Sequence, residues 1–163
     1  MRILFTTVPR HGHLQPLVPI ARAAVAAGHE VAVACAASFT PVVERAGFHT
    51  FPAGFDERGR TMAELFPGFR TVPEHLIAGW AIPKILVPVY AGAMAPDLLT
   101  IIRDWVPDLV VRDAMEFGGC LPPKPAAAAC GGPQRLDDVT VCDAAPARRG
   151  AVRTPARGER AAA

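Results

Sequence analysis

The sequence is poor in the residue patterns that build disulfide or metal sites. Its four cysteines form no CxxC pair, and none has the His/Cys spacing of zinc ligands. The apolar run at the N-terminus ends after a few residues, at Thr6, so no export signal is expected. We therefore predict a cytoplasmic protein with free thiols and no metal centre. The cysteines are Cys35, Cys120, Cys130 and Cys142.

Charge of one sign is also scarce. The formal net charge is +2, and residues 1–119 hold ten Lys and Arg against eleven Asp and Glu. The basic excess lies in residues 120–163, where seven Lys and Arg face four Asp and Glu. A solvated charge run of this kind does not indicate a nucleic-acid surface, so no nucleic-acid partner is predicted.

No apolar run in the sequence is uninterrupted for long enough to cross a membrane. The longest candidate, residues 76–102, is broken well short of the ~20 residues that a span needs. The interruptions are Pro83, Lys84, Pro88, Pro96 and Asp97. We therefore predict no membrane span.

The C-terminal part of the chain lacks almost every residue type that builds a core. Residues 122–163 contain twelve Ala, six Pro, four Gly and six Arg, but no aromatic residue, Ile or Met, and a single Leu. Such a segment buries too little apolar surface to offset the entropy cost of ordering. We predict one incomplete domain over residues 1–121 and a disordered tail over residues 122–163.

What the sequence does contain is an alternation of apolar strands and amphipathic helices. Strands are predicted near residues 2–8, 30–35 and 48–51, with helices near residues 15–27 and 39–46 between them. Short links between such elements are typical of a parallel, right-handed βαβαβ unit. The predicted fold class is therefore α/β, with a Rossmann-like parallel sheet.

The rest of the predicted domain follows a long excursion. Residues 52–72 combine Gly, Pro and scattered charges, and loops of this length are usually functional or disordered. A helix is predicted over residues 74–105, in two pieces broken around Pro83 and Pro88. A fourth buried strand follows at residues 107–113 and ends in an acid.

The expected strand order links two residues that are far apart in sequence. Four doubly wound strands take the order 3-2-1-4, so strands one and four are neighbours where the chain reverses direction. His13, just past strand one, and Asp113, at the end of strand four, are then expected in one crevice. A histidine beside a carboxylate is a general base with an orienting partner. His-Gly-His at residues 11–13 could suggest a metal site, but no further ligand cluster supports it.

Four segments carry a family resemblance. They are Met1-Arg2-Ile3-Leu4-Phe5-Thr6-Thr7, Gly12-His13-Leu14-Gln15-Pro16-Leu17, Ala27-Gly28-His29-Glu30-Val31 and Pro107-Asp108-Leu109-Val110-Val111-Arg112-Asp113. Together they resemble the N-terminal domain of family-1 glycosyltransferases, in particular the bacterial macrolide and antibiotic aglycone transferases. These are two-domain GT-B enzymes that move a sugar from a nucleotide donor to a hydroxyl group. The likeness covers roughly residues 1–120.

The resemblance implies roles for individual residues. His13 matches the histidine of the family's GHxxP motif, which deprotonates the acceptor hydroxyl for inverting attack on the anomeric carbon. Asp113 matches the aspartate that holds the imidazole and stabilises its charged form. The resemblance implies neither metal nor cofactor; the partners are a small-molecule aglycone and, in the intact parent enzyme, a nucleotide sugar. The candidate acceptor-binding residues are His11, Gly12, Phe66, Trp80, Ile82 and Phe117.

The sequence departs from the family after Cys120. Where further β/α units, a linker and a donor-binding domain should follow, it becomes rich in Ala, Pro, Arg and Gly. We interpret this change as a frameshift in a GC-rich gene or an equivalent truncation. The chain is then the acceptor-binding half of a glycosyltransferase, inactive alone, and residues 109–111 form an exposed hydrophobic strand edge.

The sequence allows other interpretations. A non-catalytic module that binds an aglycone or assists a full-length transferase also fits the sequence, as does a non-functional truncated product. A nicotinamide-dependent oxidoreductase fits poorly, because residues 9–13 stand where its GxGxxG loop should be.

Overall fold

Strands from both halves of the chain form one mixed sheet in the computed structural model, which describes residues 1–120, 135–136 and 139–143. The strands are β1 Arg2–Thr6, β2 Glu30–Cys35, β3 His49–Pro52, β4 Leu109–Asp113, β5 Arg135–Leu136 and β6 Val139–Asp143. Their order is β3-β2-β1-β4-β6-β5, and β1 to β4 run parallel. The predicted α/β class and the order 3-2-1-4 are therefore confirmed.

The last two strands in the chain, β5 and β6, contradict two predictions. β6 pairs antiparallel with β4, with Val141 opposite Val111, so residues 109–111 are not an exposed edge. β5 and β6 lie within residues 122–163, so the predicted disorder is wrong for these two strands. The β-branched residues of β6 favour an extended strand, and the backbone groups along β4 offer it a pairing edge. The rest of the segment lies outside the described residues.

Helices cover both faces of the parallel strands. The α-helices are α1 His11–Ala26, α2 Thr40–Arg45, α3 Met62–Leu65, α4 Ile77–Ala81 and α5 Gly92–Trp105. Successive strand residues point to opposite faces. Phe5 of β1 lies with Leu17 of α1 in the core on one face. Its neighbour Leu4 lies with Met94 and Leu98 of α5 in the core on the other face.

Helix α1 begins at His11 rather than near residue 15. Arg10 precedes it in an extended conformation, and the helix continues through Pro16 and Pro19. Each proline removes a backbone N–H donor, but the buried face of α1 packs on the sheet and compensates for the loss. This face is formed by Leu14, Leu17 and Ala21. His13 therefore lies in the first turn of the helix, beside the carboxyl ends of the strands.

One helical run extends without a break from Glu74 to Trp105. It consists of a short 3₁₀ turn, α4, a π-helical stretch over Ile82–Ala91 and α5. The predicted break around Pro83 and Pro88 is therefore wrong. A proline ring clashes with the carbonyl four residues earlier in an α-helix, and the wider π-turn accommodates the ring without ending the helix.

This run also bears on the prediction that no apolar segment is long enough to cross a membrane. At 32 residues it is long and apolar enough to cross a bilayer by length and composition, and a third of its most apolar window is buried in the domain. A core helix has the same composition, and the run contributes Ile85, Met94 and Leu98 to the hydrophobic cores. The sequence predicts that the prolines interrupt this run well short of a membrane-spanning length. That prediction is wrong, because the run is continuous over 32 residues.

The excursion between β3 and α4 folds into short turns over a third hydrophobic cluster. At the start of α3, the backbone N–H of Glu64 donates to the Thr61 hydroxyl, and that of Thr61 donates to the Glu64 carboxylate. This reciprocal capping box fixes a four-residue helix. The cluster contains Val8, Phe55, Met62, Phe66, Phe69, Trp80, Ile85, Leu86, Val89 and Tyr90. It forms an apolar wall next to the end of β1.

Candidate active site

His13 and Asp113 lie side by side at the carboxyl end of the sheet. β1 and β4 pair in parallel with Phe5 opposite Val111, which brings the residues that follow both strands to one edge. Asp113 is the last residue of β4, and His13 lies in the first turn of α1. Nδ1 of His13 is 3.1 Å from Oδ1 of Asp113. Topology thus joins two side chains that are 100 residues apart in sequence.

The Asp113 carboxylate is held by backbone donors on both sides. The N–H of Val8 donates to Oδ2 over 2.9 Å, and the N–H of Met115 donates to Oδ1 over 2.7 Å. The Asp113 side chain is 3% exposed, whereas that of His13 is 35% exposed. A carboxylate accepts hydrogen bonds, so Nδ1 of His13 carries the shared proton and Nε2 is the basic nitrogen. The arrangement can therefore accept a proton at Nε2.

A second buried carboxylate, Glu116, supports the loop after β4. It accepts hydrogen bonds from the Thr6 hydroxyl over 2.6 Å and from the backbone N–H groups of Gly118 and Gly119. Burial raises the pKa of Glu116 above its ordinary value, although these hydrogen bonds oppose the shift. Nothing in the sequence marks Glu116, because its partner Thr6 is 110 residues away.

A cavity of about 240 Å³ opens beside His13. Its wall is mainly apolar and comes from the end of β1, the excursion, the long helical run and the loop after β4. The lining residues are Val8, Arg10, His13, Glu57, Met62, Phe69, Ile77, Ala78, Ala81, Ile82, Leu86, Tyr90 and Met115. Cavities of this kind, apolar with a few polar groups, are typical of small-molecule sites.

Three of the polar residues in this wall form one cluster. The Arg10 guanidinium and the Tyr90 hydroxyl both donate to the carboxylate of Glu57. Glu57 is 4% exposed and Tyr90 is 6% exposed. Burial raises the pKa of Tyr90, and the carboxylate of Glu57 raises it further. No motif in the sequence predicts this cluster; the one signal it offers is that Tyr90 is the single tyrosine of the chain.

The predicted acceptor contacts near α1 lie at different places. Ile82 lines the cavity together with His13. His11 is exposed, and its ring meets the edge of Phe39 at a centroid distance of 5.5 Å. Gly12 is exposed in the first turn of α1. Neither His11 nor Gly12 belongs to the cavity lining.

The three predicted aromatic contacts also lie outside the cavity lining. The ring centroids of Phe66 and Phe55 are 6.3 Å apart, and those of Trp80 and Phe69 are also 6.3 Å apart. The Arg112 guanidinium lies 5.8 Å from the Phe117 ring. Phe69 is the aromatic residue that reaches the cavity from the excursion.

Metal-binding side chains are not grouped in the part of the chain that the structure describes. No set of three or more His, Cys, Asp and Glu side chains among those residues could hold a metal ion. Cys35 is a buried thiol, and burial raises its pKa to about 12. It therefore stays protonated at neutral pH and is a poor metal ligand.

Two glycines of the site provide a matched test of packing. A Cβ on Gly118 would lie 2.7 Å from Cβ of Met94 and 2.8 Å from Oε1 of Glu116, whereas one on Gly12 meets no heavy atom within 4 Å. We expect Gly118→Ala to lower the free energy of unfolding by about 1–3 kcal/mol. Gly12→Ala should raise it by about 0.5–1 kcal/mol, because alanine favours a helix. Urea unfolding of the full chain measures both, and equal midpoints would contradict the packing around Glu116.

Known glycosyltransferases are similar to this chain in sequence and in structure, although no family model matches the sequence. 10-Deoxymethynolide desosaminyltransferase of Streptomyces venezuelae is 33% identical over 139 residues, which cover 74% of this chain and 33% of the relative. The structure of glycosyltransferase VinC in complex with DTDP is 30% identical, with a TM-score of 0.54, over 82% of this chain and 33% of VinC. The chain is a homologue of the macrolide and antibiotic glycosyltransferases.

The structural likeness to these GT-B glycosyltransferases is not limited to VinC. SsfS6, a glycosyltransferase of Streptomyces sp. SF2575, is 29% identical with a TM-score of 0.57, over 73% of this chain and 35% of SsfS6. The chain thus spans about a third of the length of the glycosyltransferases that it matches. The Rossmann-like sheet and the GT-B resemblance predicted from the sequence are confirmed.

Proposed function

We propose that this chain is the acceptor-binding half of an inverting glycosyltransferase, which transfers a sugar from a nucleotide sugar to a hydroxyl of a small-molecule aglycone. The contact between His13 and Asp113 beside an apolar cavity carries the proposal. The homology to sugar transferases on macrolides and other antibiotics supports the substrate class.

In the proposed reaction His13 is the general base. Its Nε2 takes the proton of the acceptor hydroxyl, and the oxygen forms a bond to the anomeric carbon from the face opposite the leaving group. The bond from that carbon to the nucleoside diphosphate breaks, and the diphosphate leaves with the electron pair. Asp113 fixes the ring through Nδ1 and stabilises the imidazolium that forms. The carboxylate of Asp113 suits this role because it is buried and because two backbone N–H groups fix its orientation.

The acceptor is proposed to lie in the cavity beside His13. Ile82, Phe69 and Leu86 supply apolar contacts there. Two of the predicted contacts that lie outside the lining would act indirectly. Trp80 packs on the lining residue Phe69, and Phe66 packs on Phe55, whose ring contacts the lining residue Tyr90.

Donor binding and turnover are proposed to need more than the 163 residues of this chain. The chain matches a third of each relative, and a sugar transferase must hold the nucleotide sugar as well as the acceptor. We therefore propose that the isolated chain binds an aglycone without transferring sugar to it. Its proposed location is the cytoplasm.

The test uses the purified 163-residue chain with 10-deoxymethynolide and a thymidine-diphosphate sugar. Isothermal calorimetry should detect binding of the macrolactone, and His13→Ala should leave most of that affinity, because the apolar wall provides it. Release of thymidine diphosphate should stay at the uncatalysed rate. Turnover at the rate of a full-length relative would refute the proposed inactivity, and absence of macrolactone binding would contradict the acceptor role for this probe.

A further inference from the structure

We propose that Arg10 is a second polar anchor of the acceptor cavity and binds a carbonyl oxygen of the aglycone while His13 receives its hydroxyl. The proposal rests on the proposed function of the cavity and adds to it the chemical class of the acceptor. An aglycone that fits is apolar and carries a hydroxyl and a carbonyl group at separate positions.

Arg10 lines the cavity and has hydrogen-bond donors that its protein partners among the described residues do not use. Arg10 lines the same cavity as His13, which follows it three positions further along the chain. Within residues 1–120, all hydrogen bonds of the Arg10 side chain leave from Nη1, toward the carbonyl of Pro9 and the carboxylate of Glu57. A guanidinium has five N–H donors, so those on Nε and Nη2 can serve a ligand.

Glu57 and Tyr90 hold this guanidinium in place. Glu57 belongs to the excursion and Tyr90 to the π-helical stretch, and both side chains are buried. A buried carboxylate is costly unless it is paired and hydrogen-bonded. Glu57 meets this requirement with Arg10 on one oxygen and Tyr90 on the other. Glu57 and Tyr90 are thus positioning residues, which orient Arg10 before a ligand arrives.

The charges of the cluster indicate an uncharged oxygen as the ligand group. Glu57 already neutralises Arg10, so an anionic ligand gains little net attraction and meets the Glu57 carboxylate nearby. Arginine has donors and no acceptor, so it selects a group that accepts a hydrogen bond. The rest of the wall, including Met62, Phe69 and Ile82, is apolar and favours an aglycone of low polarity. A carbonyl oxygen on an apolar skeleton meets all of these conditions.

A pair of fluorescent probes isolates the carbonyl contact. 6-Acetyl-2-naphthol carries a hydroxyl and a ketone at opposite ends of an apolar ring system, and 6-ethyl-2-naphthol replaces the carbonyl by a methylene. Both are titrated with the full chain, and the ratio of their dissociation constants is the readout. We expect the ketone to bind about 10-fold more tightly, as for a hydrogen bond to a charged group.

Variants assign that ratio to the cluster. Arg10→Gln should bring the ratio close to one while 6-ethyl-2-naphthol still binds. Tyr90→Phe should lower the ratio in part, an effect that a merely structural role would not have, because loss of packing weakens both probes equally. Arg22→Gln, an exposed arginine on the outer part of α1, is the matched control and should keep the ratio. Circular dichroism verifies folding, and the test depends on Tyr90→Phe if Arg10→Gln unfolds.

The outcomes separate this proposal from the proposed function. Equal binding of both probes to the unaltered chain overturns the role of Arg10 and leaves the acceptor cavity intact. An unchanged ratio in folded Arg10→Gln, or in Tyr90→Phe where Arg10→Gln unfolds, overturns it as well. If neither probe binds the unaltered chain, the cavity is not an acceptor site, and the proposed function fails together with this inference.

Discussion

Replacing His13 by alanine is expected to lower kcat of a chimeric transferase by a factor of about 10² to 10⁴, the usual contribution of a general base. The chimera joins residues 1–120 of this chain to the remaining part of the desosaminyltransferase of Streptomyces venezuelae, and nucleoside diphosphate release measures its rate. In the proposed mechanism this variant cannot deprotonate the hydroxyl, whereas the proposed apolar contacts to the acceptor remain. KM for the acceptor should therefore change much less than kcat.

A companion variant tests the partner of the histidine. Asp113→Asn keeps the side-chain shape and one oxygen but removes the negative charge that stabilises the imidazolium. The two carboxylate oxygens of Asp113 also accept hydrogen bonds from the N–H groups of Val8 and Met115. In asparagine an amide nitrogen replaces one of these oxygens and cannot accept such a hydrogen bond. We expect a loss of kcat comparable to that of His13→Ala. In the double variant the second change should add little, because the two side chains act as a unit.

A matched histidine controls for loss of an imidazole as such. His75 is exposed at the start of the long helical run and lies outside the cavity lining. His75→Ala should leave kcat within about twofold, since exposed substitutions far from a site are close to neutral. A His13→Ala chimera that keeps a third or more of the parent rate would refute the assignment of the base. The non-catalytic module would then be the better interpretation.

The sequence predicts well those elements whose burial produces a local pattern of apolar residues. The strands β1, β2 and β4 are buried between helices on both faces of the sheet. A strand that is buried on both faces is a continuous apolar segment in the sequence. The strand order follows from connection rules, and with it the meeting of His13 and Asp113. These two side chains could be paired in advance because Asp113 ends one central strand and His13 lies in the first turn of the helix that follows another.

The elements that were predicted wrongly depend on contacts that no local pattern records. Proline normally ends a helix, but burial of Ile85 and Tyr90 on either side of Pro88 keeps the chain helical in a wider turn. β6 is predicted as disordered because its surroundings are rich in Ala, Pro and Arg. Five residues pairing along β4 suffice to form a strand there.

The polar support of the site is also invisible in the sequence. Glu57 meets Arg10 across 47 residues and Tyr90 across 33 residues, and none of the three belongs to a motif. The excursion that carries Glu57 has no regular periodicity from which its fold could be derived. For the same reason the predicted acceptor contacts Phe66 and Trp80 fall behind the cavity wall, while Phe69 and Leu86 reach it.

Replacing Leu4 by alanine is expected to lower the free energy of unfolding by about 2–5 kcal/mol. Leu4 lies in β1, the strand between β2 and β4, and is 0% exposed in the core that packs against α5. Removal of its side chain leaves a cavity that neighbours on two strands and a helix cannot fill without moving. Domains are stable by only about 5–15 kcal/mol, so this change consumes a large share of the total.

Leu99 provides the matched control for this measurement. It lies in α5, next in sequence to the buried Leu98, but is 41% exposed. Leu99→Ala should therefore change the free energy of unfolding by less than about 1 kcal/mol, because much of its side chain is already in water. Urea unfolding of the full chain, followed by circular dichroism, compares the two. A loss in Leu4→Ala no larger than in Leu99→Ala would contradict the placement of β1 at the centre of the sheet, and with it the geometry that brings His13 to Asp113.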